Sequence, residues 1–153
     1  MIDEYGGIDV KALRYSMMAL FLLVVTVAAP VSASEQKTVF YNVTTDDAWT
    51  AGMALAHAGK ALDLGYKVVI FLNVRGVFIA SKSVLTDING LSQKSMQDML
   101  KAVLGKGAKA YICPMCMQKV GMTADDLIPG VVPGGADVTL PIMTADDTVV
   151  ISY

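Results

Sequence analysis

The run Lys67-Val68-Val69-Ile70-Phe71-Leu72-Asn73 constrains the fold more than any other segment. A strand with one face in water alternates apolar and polar residues. An unbroken apolar run instead predicts a strand covered on both faces, the habit of parallel sheets flanked by helices. The residues ahead of it agree. Lys37-Thr38-Val39-Phe40-Tyr41-Asn42-Val43 is a β-branched and aromatic strand, and Thr44-Thr45-Asp46-Asp47 opens a helix predicted over residues 47–64. Trp49, Met53, Leu55, Ala56 and Leu62 are spaced for its buried face, its early acids suit the positive end, and Gly65 stops it. Strand, helix, strand in this order argues for a right-handed βαβ unit.

Beyond Asn73 the pattern loosens and then resumes. Arg75 to Gly90 reads as a loop with a short helical or extended piece. A second helix is expected over residues 93–104, with Ser92 as its cap and Met96, Met99, Leu100 and Val103 inward. Ala108 to Ile112 supplies a third strand, a cysteine-bearing helix follows until Gly121, and Thr123 to Leu127 looks like a capped turn. Pro129 to Gly135 is loop material, and Thr148 to Tyr153 is a last strand. These elements predict a three-layer α/β sandwich on a small, mainly parallel sheet. In such sheets function gathers at the carboxyl ends of the strands. That edge would carry Asn42 and Thr44, then Asn73 and Arg75, then Cys113.

The first residues have a different character. Lys11 and Arg14 precede the apolar stretch Ser16 to Ala29, and Pro30-Val31-Ser32-Ala33 ends it on small residues. Basic flank, apolar centre and small-x-small end predict a signal peptide over residues 1–33 and a domain over residues 34–153. The competing reading is an uncleaved anchor, for which the run falls short of the ~20 apolar residues of a spanning helix. Either way the domain is expected to be exported, in the periplasm or another extracytoplasmic space. A formal net charge of −2 without a Lys/Arg cluster argues against a nucleic-acid partner.

Both cysteines of the chain lie in Tyr111-Ile112-Cys113-Pro114-Met115-Cys116, where the third strand runs into a helix. Proline favours the first helical position, so Cys113 is the expected N-cap, with Cys116 on the same face. Unsatisfied N–H groups and the positive end of the helix dipole there favour a thiolate. A bridge between residues three apart closes too small a loop to act as a useful staple. Structural zinc needs four ligands, and one cysteine pair with one histidine falls short. Copper(I) would find soft donors in Cys113, Met115, Cys116 and Met117. A thiol–disulfide oxidoreductase also uses CxxC at a strand-to-helix junction, although there the motif follows an early strand and faces a cis-proline; Pro141 could be asked to play that part, but its spacing is short. A persulfide carrier on Cys113 is the third reading. His57 reads as a partly buried helix residue with a satisfied ring. Arg75, near a strand end, is placed to stabilise a thiolate or an anionic sulfur substrate. No G-x-G-x-x-G, P-loop or G-x-S-x-G string occurs, and no cofactor is expected.

The segment "AKAYICPMCMQKVGMTADDLIPGV", with a cysteine at a strand end, a glycine eight residues later and an acidic turn before "DLIPGV", resembles the DsrE/DsrF-like sulfur-relay family. "NVTTDD", "ALDLGYKVVIFLNVRGV" and "VVISY" extend the resemblance over most of residues 34–153. The resemblance implies a small α/β sandwich assembled as a homotrimer or homohexamer, with Cys113 matching the sulfur-accepting position. It also implies a sulfur donor or acceptor as partner, either a protein or a small thiol or polysulfide. Cys116 and the export signal depart from the familiar cytoplasmic members. The reading that follows is an exported DsrE-like protein that binds or relays sulfane sulfur through Cys113, with Cys116 able to resolve the persulfide and Arg75, Asn73 and Asn42 around the substrate.

Overall fold

The computed structural model describes residues 36–153. The predicted signal peptide lies outside them. In chain order the elements are β1 (Thr38–Val43), α1 (Thr50–Asp63), β2 (Lys67–Leu72), a 3₁₀ helix (Val74–Ala80), the short strands β3 (Ile88–Asn89) and β4 (Lys94–Ser95), and α2 (Met96–Gly105). They continue with β5 (Lys109–Ile112), α3 (Pro114–Lys119), a 3₁₀ turn (Ala124–Asp126), β6 (Val131–Pro133), α4 (Ala136–Met143) and β7 (Thr148–Ser152).

Five strands form one sheet in the order β6-β5-β2-β1-β7, and every neighbouring pair is parallel. The apolar run that predicted burial on both faces is β2, near the middle of the sheet. β3 and β4 make a separate antiparallel pair. From β1 the chain steps to β2, then β5, then β6, and only the last crossover reverses to set β7 on the other side of β1. With right-handed crossovers, that reversal sends α4 to the opposite face from α1 and α2. The result is the expected three-layer sandwich.

The two faces are filled differently. Tyr41, Val43, Ile70, Leu72, Ala110 and Ile112 pack against Ala51, Ala54, Leu55 and Ala58 of α1 and Met96, Leu100 and Val103 of α2. The alanine row lets α1 lie close to the sheet, and each fully buried Leu or Ile contributes about 1.5–3 kcal/mol. On the other face Phe40 and Val69 are buried, Phe71 and Tyr111 are half-buried, and Val132 and Val150 are exposed.

Several expectations are corrected. Trp49 is 71% exposed rather than core, because α1 starts at Thr50 and its buried face is the alanine row. Met53 shares that outer stripe. The second helix starts later than expected, at Met96; Ser95 caps it by accepting the Asp98 N–H at 3.1 Å, so Ser92 is not the cap. Within the expected loop 129–135 lies β6, short and bounded by Pro and Gly, with Pro133 tolerated on an edge strand. Pro141 sits inside α4, not in a loop ahead of a strand, so it does not act as the facing proline of a thioredoxin-type site.

Candidate functional site

β5 ends at Ile112, and the Cys113 N–H still donates to the Leu72 carbonyl at 2.9 Å, extending the β2 ladder by one residue. The chain then turns. Cys113 is extended (φ −68°, ψ 114°), Pro114 occupies the first helical position, and the Cys113 carbonyl accepts the first helical bond from Met117 N–H at 3.0 Å. The Cys113 Sγ accepts the Cys116 N–H at 3.4 Å, so the thiol is the cap of α3. Gly121, at φ +71°, closes the helix in the left-handed conformation that glycine adopts without strain.

Cys116 meets a different element. Its Sγ accepts the Val74 N–H at 3.2 Å, across 42 residues of sequence. Val74 has φ +49°, a left-handed conformation that costs a β-branched residue about 1–2 kcal/mol. Its neighbours hold it there. Asn73 N–H donates to the Val43 carbonyl at 3.0 Å, Arg75 N–H to the Thr44 carbonyl at 3.1 Å, and Gly76 N–H to the Asn73 carbonyl at 2.8 Å. Gly76 lies so close to β1 that a Cβ there would stand 2.4 Å from the Val43 oxygen. The start of the 3₁₀ helix is thus pinned onto the end of β1, which turns the Val74 amide towards α3.

Both cysteines are free thiols of intermediate exposure. Burial pushes the Cys116 thiol above its ordinary pKa, and its hydrogen bond with Cys113 adds to the rise; the Val74 N–H and the Lys119 charge oppose it. A cavity of about 370 Å³ opens beside Cys116, lined by Val74, Arg75, Phe78, Cys116, Lys119 and Val120. A slightly larger depression of about 390 Å³ lies at the amino ends of the strands, around Thr38, Lys67 and Lys109, and holds no thiol.

The remaining predicted residues divide into two groups. Arg75 reaches the cavity, but its fork is filled: Nε donates to Asp46 Oδ1 at 2.8 Å and Nη2 to Asp46 Oδ2 at 2.6 Å, with the guanidinium 5.3 Å from the Phe78 ring centre. Its charge is therefore compensated. Asn73 donates through Nδ2 to Asn42 Oδ1 at 2.6 Å, and Asn42 Nδ2 donates to Ser152 Oγ at 3.2 Å. These amides tie together the carboxyl ends of β2, β1 and β7. Sequence reasoning passed over Lys119 and Val74; the first had a signal in its i+3 spacing from Cys116, the second had none. His57 is exposed rather than partly buried and shares a hydrogen bond with the Tyr153 hydroxyl.

Among the described residues no group of three or more His, Cys, Asp and Glu is arranged to hold a metal ion. The four soft donors around the cysteine pair also diverge, since Met117 is buried in the core while Met115 is 79% exposed. That arrangement does not fit a copper(I) site made of all four. No helix among the described residues is long and apolar enough to cross a membrane.

Comparison with solved structures finds the same fold in a protein of unknown function, MTH1491 from Methanobacterium thermoautotrophicum. The two are 13% identical with a TM-score of 0.63, covering 77% of this chain and 100% of that one. The ychN protein from E. coli is 18% identical with a TM-score of 0.62, covering 76% of this chain and 99% of that one. A comparison with curated proteins found no match. The model of the DsrE/DsrF-like family matches residues 37–151, which reach every strand of the sheet and include both cysteines. With this match, the chain belongs to the DsrE/DsrF-like family.

Proposed function

We propose that this protein accepts sulfane sulfur as a persulfide on Cys113 and that Cys116 resolves it. Family membership supports a sulfur-relay-related role in general. The observation that carries the finer reading is the pair of N–H to sulfur hydrogen bonds, Cys116 N–H to Cys113 Sγ and Val74 N–H to Cys116 Sγ. Each sulfur has a backbone donor aimed at it, and at Cys116 the Val74 N–H opposes the burial that raises the thiol pKa.

In the first step the Cys113 thiolate attacks the outer sulfur of a donor R–S–SH. The donor S–S bond breaks, R–S⁻ leaves, and Cys113–S–SH remains. In the second step the Cys116 thiolate attacks Cys113 Sγ; the bond to the outer sulfur breaks, HS⁻ leaves, and a Cys113–Cys116 disulfide forms. A direct handover of the outer sulfur to an acceptor thiolate is the relay branch of the same chemistry. The donor or acceptor is a protein, a small thiol or a polysulfide, and the protein works as a homotrimer or homohexamer in an extracytoplasmic space. Arg75, Asn73 and Asn42 border the substrate, Arg75 at the cavity and the two amides as a brace for the strand ends.

The test is mass spectrometry after incubation with polysulfide. A sulfur adduct of about 32 Da on Cys113, accumulating in the Cys116→Ser variant, is expected. No adduct in either form sinks the proposal. A second reading, thiol–disulfide exchange by the same pair, is favoured by the cap geometry that brings Cys113 Sγ within 3.4 Å of the Cys116 amide. It predicts turnover with a dithiol and a potential in the range of exchange catalysts.

A further inference from the structure

The two sulfurs have unequal surroundings. Cys116 Sγ belongs to the wall of the 370 Å³ cavity, whereas Cys113 is not among its lining residues. Val74, Phe78 and Val120 make the rest of that wall largely apolar, and two cations stand at it. Arg75 is neutralised by Asp46 at 2.6 Å. Lys119 makes no ion pair among the described residues, and it lies close enough to Cys116 to favour its thiolate. The volume falls at the small end of the roughly 300–1,000 Å³ typical of small-molecule sites. Apolar walls, one sulfur and one uncompensated positive charge suit a compact organic anion that carries a thiol.

We propose that this cavity is the entry site for a small organic thiol with an apolar body and a carboxylate, which reduces the Cys113–Cys116 disulfide by attacking Cys116. The proposal rests on the persulfide reading, because resolution by Cys116 is the step that leaves the disulfide. The thiolate R–S⁻ attacks Cys116 Sγ, the bond to Cys113 breaks, and Cys113 departs as a thiolate. The Cys116 N–H that already caps Cys113 meets the charge that develops there. A second R–S⁻ then attacks the R sulfur of the mixed disulfide, forming R–S–S–R and releasing the Cys116 thiolate beside Val74 N–H. Two thiolates lose two electrons, and the protein disulfide gains them. Attack on Cys113 would place the entering thiol outside the cavity.

The experiment runs the mixed-disulfide step in reverse on the Cys113→Ser variant, whose only thiol is Cys116. Serine is a good N-cap, so α3 keeps its start. The probes are the symmetric disulfides of mercaptopropionate, mercaptohexanoate and cysteamine, with mixed-disulfide formation followed by intact mass. The mercaptopropionate disulfide should react about fivefold faster than cystamine at low salt, the effect expected of one nearby unit charge near a protein surface. The mercaptohexanoate disulfide should react faster again. Lys119→Gln should abolish the charge preference, and Lys119→Glu should invert it. Equal rates for all three reagents, or a preference indifferent to residue 119, overturn the subsite. Because this assay needs no persulfide, it separates the two ideas. A polysulfide adduct on Cys113 without selectivity at Cys116 removes the subsite alone. Selectivity at Cys116 without any adduct leaves the thiol site standing and removes the persulfide reading.

Discussion

Helices α2 and α3 begin in different ways, although each follows an extended segment and each has a side chain capping its first turn. At α2 the cap is Ser95, which accepts the Asp98 N–H at 3.1 Å and donates to the Asp98 carboxylate at 2.8 Å. Acid and hydroxyl satisfy each other there. At α3 the cap is Cys113, a single contact of 3.4 Å to sulfur with no acid in the first turn. Sulfur is the weaker acceptor. At the 3₁₀ turn Thr123 and Asp126 pair in a related way, the Thr123 N–H and hydroxyl each donating to the Asp126 carboxylate at 2.7 Å. The start of α3 is the weaker cap of the two, and its capping atom is a thiol sulfur. The contrast fits the proposed role of Cys113 as the sulfur acceptor.

The contrast can be broken in several ways. The largest effect belongs to Cys113→Ser: the polysulfide adduct should fall to background by mass spectrometry, while thermal melting shows the fold retained and stabilised by about 0.5 kcal/mol through the better cap. A variant that loses stability along with the adduct would make Cys113 a structural residue after all. Next comes Gly76→Ala, which sets a Cβ against the Val43 carbonyl. It should destabilise by about 2–3 kcal/mol in denaturant titration and release the Val74 amide from Cys116. Capping itself is then compared directly: Ser95→Ala should cost about 1 kcal/mol, and Cys113→Ala less than half of that. Equal costs would erase the distinction between the two caps. A smaller effect is expected from Val74→Gly, which removes left-handed strain at an exposed position. A gain of about 0.5 kcal/mol should remain after the entropy of glycine is counted.

The pH dependence gives the finest measure. Burial and the hydrogen bond with Cys113 raise the pKa of the Cys116 thiol, so its alkylation by iodoacetamide should begin at higher pH than for an ordinary cysteine. The neutral thiol is the form the fold prefers. Its contribution to stability is complete below the unfolded-state thiol pKa and is lost as pH rises through the folded value. Replacing Cys113 by serine removes the thiol partner and should bring the alkylation midpoint down. An unchanged midpoint would mean that the two sulfurs do not sense each other.

Much of this molecule was readable from local pattern. β1, β2 and β5 declare themselves as apolar runs, and Pro114 identifies Cys113 as a cap. β6 and α4 did not declare themselves. The strand is only three residues long, and α4 carries Pro141 in its interior, so neither offers enough period to detect. Trp49 misled for a related reason, since its spacing fits an amphipathic face that α1 in fact builds from alanines. The site was half readable. Residue types placed Cys113, Cys116 and Arg75 in one neighbourhood, but the Asp46 pairing of Arg75 and the Val74 amide depend on how the 3₁₀ helix docks on β1. A backbone N–H carries no residue identity to read.

The return of β7 to the side of β1 has a kinetic consequence. Thr44 hydrogen-bonds through its hydroxyl to the Tyr153 carbonyl at 2.7 Å, a partner 109 residues away. β1, β2 and β5 pair through successive crossovers, each closing a shorter loop than the one that brings β7 home. Loop closure grows costlier with length, and distant pairings slow folding. The order of assembly that follows has the cysteine junction formed with the β2–β5 ladder and the β1 flank left open until β7 docks. A nascent chain would therefore hold its thiol pair in place before its sheet is complete, with β1 still a free template for a wrong partner strand.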